Sequence, residues 1–173
     1  MKKVVLLFVA ILVVLISCTH DPEELLPPYV QPTPPQTNSP VVFDLNAVPY
    51  PVLSTYHFFD STMSDLEPVE GVLPFAPITP LFSDYAHKKR FVWMPSGVKA
   101  HYVSDSTVLA FDDGAVLIKC FYYDNVQPQN VRRIMETRML FKRNGVWEAV
   151  TYKWNDEQTE AYLDLAGSFN PLD

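Results

Sequence analysis

RRIMETRMLFKRNGVWEAVTYKW, residues 132–154, decides the fold. Asn144-Gly145 at its centre is the preferred two-residue hairpin turn, because a type I′ turn needs φ > 0 at both positions and these two residues tolerate it. If that turn forms, Arg143 pairs with Val146 and the rest of the register follows by counting. Glu136 then stands opposite Lys153, and Arg138 opposite Thr151. Met135, Met139 and Phe141 share a face with Trp154, Tyr152 and Val150. One face is apolar and the other carries charge, as half-buried antiparallel strands require.

Outward from this hairpin the period stays at two. Upstream, Lys89–Met94 sends Phe91 and Trp93 one way and Arg90, Val92 and Met94 the other, and Pro95-Ser96-Gly97 turns the chain. Ala100–Val103 and Thr107–Phe111 read as short strands, and Asp112-Asp113-Gly114 as a tight turn. Ala115–Tyr123 is almost continuously apolar, which predicts a strand covered on both faces. Asp124–Asn130 is the next loop. Leu53, Tyr56 and Phe59, at spacing three, predict a short helical turn laid on the sheet. Downstream, Asn155 at a cap position and Gln158 three residues later predict a second short helix. The fold expected is mainly β, an antiparallel β-sandwich or partly open barrel with one or two short helices.

The other end of the chain concerns delivery. Met1-Lys2-Lys3 precedes the unbroken apolar run Val4–Ile16, whose length suits a signal-peptide core and falls short of the roughly 20 residues of a spanning helix. The run ends in Leu15-Ile16-Ser17-Cys18, which resembles a bacterial lipobox. That resemblance implies cleavage before Cys18, acylation of its thiol, and anchoring at the outer membrane, since no Asp follows the cysteine. The acidic His20-Asp21-Pro22-Glu23-Glu24 is similar to surface-export signals of some lipoproteins. Pro27, Pro28, Pro32, Pro34, Pro35 and Pro40 then make Leu25–Pro40 an extended spacer. The domain plan expected is a signal peptide over 1–17, a lipid-anchored proline-rich tether over 18–45, and a β-rich globular domain over 46–173.

The 173 residues carry 20 acidic and 13 basic side chains, a formal charge of −7 that becomes −9 without the leader lysines Lys2 and Lys3. Such a chain is a poor nucleic-acid binder, and its expected attachment to membrane is through lipid and not through charge. With Cys18 acylated, Cys120 is the only free cysteine, and in its apolar run it reads as a small buried hydrophobe.

Five blocks carry a resemblance to a known family: LSTYHFF (53–59), TPLFSDYAHKKRFVWMP (79–95), GAVLIKCFYYDN (114–125), METRMLF (135–141) and YKWNDEQTEAYL (152–163). In this order they resemble the non-heme amino-terminal region of an uncharacterised group of bacterial envelope proteins similar to diheme c-type cytochromes. The resemblance covers about Val52–Leu163. It departs at Asp113 and Ala115, where the family usually has a proline and a threonine. The family's heme-carrying half uses Cys-x-x-Cys-His, which this chain lacks, so no cofactor is expected here. The resemblance implies an envelope setting and a separate c-type cytochrome as one conceivable partner.

The residues that could carry chemistry are few. The four histidines, His20, His57, His87 and His101, show no paired metal spacing, although His87 and His101 could meet across a hairpin. Asp105 and Asp112-Asp113-Gly114 lack the alternating acids of a calcium loop. The polar cluster of interest is Ser83, Asp84, His87, Lys88 and Arg90 from one block, Glu136 and Arg138 from another, and Asn155, Asp156 and Glu157 from a third. These either converge as a ligand site or form a hydrogen-bonded network pinning the loop before Lys89 to the sheet. The function expected is a non-enzymatic binding or assembly module of the envelope. The alternatives are an accessory domain that docks a c-type cytochrome, and a glycan hydrolase using Glu136, Asp156 and Glu157.

Overall fold

The turn at Asn144-Gly145 forms as the sequence predicts, with both residues at positive φ (52° and 75°). The computed structural model describes residues 39–60, 62–79 and 81–167, so the expected signal peptide, the expected lipidation at Cys18 and most of the expected tether lie outside the described residues. Among the described residues eight strands are present: β1 (Val72–Pro74), β2 (His87–Trp93), β3 (Ala100–His101), β4 (Ala110–Phe111), β5 (Val116–Val126), β6 (Val131–Arg143), β7 (Val146–Trp154) and β8 (Ala161–Asp164). Six of them build one antiparallel sheet in the order β1-β2-β5-β6-β7-β8, while β3 and β4 pair separately. The sheet is open, and the mainly β antiparallel class expected from the sequence is the class observed.

The β6–β7 register matches the counted one at every position, from Arg143 opposite Val146 to Glu136 opposite Lys153. One element of the expected face is corrected. A bulge in β6 places Glu136 opposite Phe121 but Ile134 opposite Tyr122, so Met135 is the extra residue and Ile134 takes the core position. A second expectation fails after Trp154. Asn155–Gln158 forms a turn into β8 and no helix, because the Asn155 side chain accepts from Thr159 N and Glu160 N while Gln158 takes a left-handed backbone. The other short helix is present as a 3-10 turn, Leu53–Tyr56, with a further one at Met63–Asp65.

Among the described residues the core lies on one face of the sheet. Phe91, Trp93, Ile118, Cys120, Thr137, Met139, Phe141, Tyr152 and Trp154 point to it and are buried. The chain before β1 covers them with Leu53, Tyr56, Phe58, Phe59 and Leu66, and the covering reaches back to Val41 and Phe43. Aromatic rings dominate the contact: Tyr56 stacks on Phe58 at 5.1 Å and meets Tyr152 edge-on at 5.9 Å, and Phe59 meets Phe91 at 5.2 Å. Arg143, at the end of the hairpin, holds this layer down, its guanidinium donating to Leu45 O at 2.8 Å and pairing with Glu148. Thr137 is fully buried among the aromatic and aliphatic side chains. It accepts the Trp154 indole N–H at 3.0 Å and donates to Cys120 Sγ at 3.3 Å, and no buried side-chain nitrogen or oxygen among the described residues lacks a partner.

The second face of β5 corrects the expectation of double coverage. Leu117, Lys119 and Phe121 alternate with the buried Val116, Ile118 and Cys120, and they remain partly accessible. The continuous apolar run reflects a central strand whose outer side chains shield one another.

Candidate functional site

The uncovered face is laid out by register alone. Pairing across the sheet aligns Lys88, Phe121, Glu136, Lys153 and Tyr162 in one row. The next row aligns Arg90, Lys119, Arg138, Thr151 and Asp164, and beyond it lie Leu73, Val92, Leu117, Leu140 and Ala149. Since side chains alternate along each strand, all of these point away from the core. The two charged rows therefore hold five cations and two carboxylates in a chain whose formal charge is −7.

Phe121 is the centre of the arrangement. The Lys119 ammonium lies 4.6 Å from its ring centroid and the Arg138 guanidinium 4.9 Å, so the ring faces two cations. Arg138 also pairs with Glu136 at 2.6 Å, while Lys153, the expected partner of Glu136, stands opposite it in register. Lys119 loses its proton more readily than an ordinary lysine. Desolvation by its neighbours is the main cause, and the charges of Arg90, Lys88 and Arg138 add to it against the opposing pull of Glu136. The face thus holds more positive charge than its own acids balance.

Of the residues singled out from the sequence, the sheet brings together Lys88, Arg90, Glu136 and Arg138. Ser83 and Asp84 serve the loop: Ser83 Oγ donates to Ala86 O at 2.8 Å, and Asp84 O accepts from the Tyr123 hydroxyl at 3.1 Å. Lys88 Nζ also donates to Leu81 O, which ties the same loop to the face. His87 stacks on Tyr122 at 5.4 Å and lies 3.8 Å from Asp124, whereas His101 sits on β3 at 2.9 Å from Asp112. The two histidines are thus not brought together. In the β7–β8 turn Asn155 organises the backbone, Asp156 pairs with Arg133, and Glu157 is exposed. Glu136, paired with Arg138 on the sheet face, thus has different surroundings from Asp156 and Glu157 in the turn.

Lys119 and Phe121 were missed by the sequence reading. The signal available was that Lys119 is the only charge in the apolar run 115–123. What hid its role is strand order, since β5 lies between β2 and β6 and inserts both residues among the cations of those two strands. Comparison of the chain with protein-family models, curated proteins and solved structures gives no match.

Proposed function

We propose that this domain is a non-enzymatic binding module of the bacterial envelope, lipid-anchored through Cys18 at the outer membrane, that takes an anionic partner on the open face of its sheet. The observation that supports the reading is the concentration of Lys88, Arg90, Lys119, Arg138 and Lys153 around Phe121 in an otherwise acidic chain. A face of this kind attracts negative charge from solution and offers an aromatic surface on arrival. A c-type cytochrome with an acidic docking rim would be one such partner.

The test uses the chain from residue 18 onward carrying Cys18→Ala, so that it stays free of acyl chains. Its retention on immobilised heparin, a sulfated polyanion, is compared with that of Lys119→Glu/Arg138→Glu. The parent is expected to bind in low salt and elute as ionic strength rises, with the double variant in the flow-through. Equal elution of the two, with both folded by circular dichroism, would overturn the reading. Occupation of the face by heparin should also raise the Lys119 pKa, seen in the pH titration of its side-chain NMR signals.

A further inference from the structure

The two edges of the sheet are finished differently. At β8 the edge is covered, with Leu163 N donating to Pro51 O at 2.9 Å and Val52 bridging to Tyr162. At the opposite edge β1 is only three residues long, and its ladder with β2 ends at Pro74 opposite Phe91. Phe75 N adds one bond, to Arg90 O at 3.0 Å. That bond fixes which backbone groups face outward. Arg90 turns its carbonyl toward the β1 side, and in an antiparallel ladder this direction alternates. Lys88 therefore turns its N–H and C=O outward as well, while Lys89 turns toward β5. Among the described residues no backbone partner meets Lys88 on that side.

A cleft of about 440 Å³ lies along this half of β2. It is lined by Phe75 and Ala76 from one flank, Glu67 and Pro68 from another, and Lys88 and Arg90 of β2 itself. The run beside it is His87-Lys88-Lys89-Arg90, of which Lys89 is already held by Glu67 at 3.2 Å. Four residues of extended strand span roughly 13 Å, and a cleft of this volume is in the range that holds a small ligand or short peptide.

We propose that the His87–Lys89 edge of β2, beyond the Phe75–Arg90 bond, receives an extended acidic segment of a partner protein as an added strand. The Lys88 backbone supplies main-chain hydrogen bonds, and the Lys88 and Arg90 side chains select carboxylates. A second copy of this chain is the wrong occupant, because β2 against β2 sets His87–Arg90 beside itself and opposes like charges. The inference deepens the proposed function and rests on it for the sign of the partner's charge.

The experiment again uses the chain from residue 18 with Cys18→Ala. The probe is a blocked hexapeptide alternating Glu and Val, and the comparison peptide carries the same charges with alternate amides N-methylated. Amide hydrogen exchange at Lys88 is read by NMR. The first peptide is expected to bind and slow Lys88 exchange by about tenfold or more, and the N-methylated peptide to leave it unchanged. Lys88→Ala, which keeps the backbone N–H, should weaken the first peptide only about threefold. Equal binding of both peptides with Lys88 unprotected would overturn strand addition and leave the cationic face standing. No binding of either peptide by a chain that still binds heparin would overturn strand addition alone.

Discussion

Tyr152 shows how one hydroxyl fastens the covering layer to the sheet. Its O–H donates to Tyr50 O at 2.7 Å and accepts from Tyr56 at 2.8 Å, and the Tyr56 oxygen accepts from Tyr50 N at 3.0 Å. Burial, followed by the Tyr56 hydrogen bond, raises the Tyr152 pKa far above the ordinary value of 10.0, and burial likewise raises that of Tyr56. For a group whose folded pKa is raised, the stabilisation is complete below the unfolded value and lost as pH climbs above it. We predict a urea midpoint that falls above about pH 10, with part of the alkaline fall removed in Tyr152→Phe. The same substitution should cost about 1–2 kcal/mol at neutral pH, since Tyr50 O and Tyr56 lose a partner. An unchanged alkaline limb would sink this account. Cys120 offers a second check. It is fully buried and its thiol is pushed up to about 12, chiefly by burial. Iodoacetamide at pH 8 should leave the native chain carrying Cys18→Ala unmodified by mass spectrometry and alkylate it in urea.

At the scale of the element, the β6 bulge is the feature that plain alternation gets wrong. Counting from Asn144-Gly145 holds through Glu136 and would set Met135 in the core, yet Ile134 is the residue at 1% exposure. Ile134→Ala is therefore expected to cost about 2–5 kcal/mol in chemical denaturation, and Met135→Ala under about 1.5. An unbroken strand requires the reverse order. The turn itself was legible because its chemistry is local to two residues. The bulge was not, because it shows only in the pairing with β5, at the Phe121–Tyr122 step, and β6 carries no local signature of it. The failed helix at Asn155–Gln158 has a similar cause. Gln158 spends its amide on Ile134 N and O in the neighbouring strand, which a capping reading of the sequence alone could not register.

For the whole molecule, the proposed anchor and the proposed face make separable predictions. In cells supplied with labelled palmitate, the chain should take up label and sediment with outer membrane, and Cys18→Ala should abolish both. That variant should still bind heparin, whereas the double variant at Lys119 and Arg138 should stay membrane-bound and lose it. By itself the sequence determined what rests on neighbours along the chain: the period of two, the Asn-Gly turn and its register, and the alternation of Phe91 and Trp93 with Arg90. Only the tertiary structure decided which face of the sheet is covered, since that depends on Val41–Leu66 folding back across strands up to a hundred residues away. It also decided that Lys119 and Phe121 complete the cationic face, because strand order in a sheet is set by which long-range pairings bury most apolar surface, and that competition leaves no mark on any single stretch of sequence.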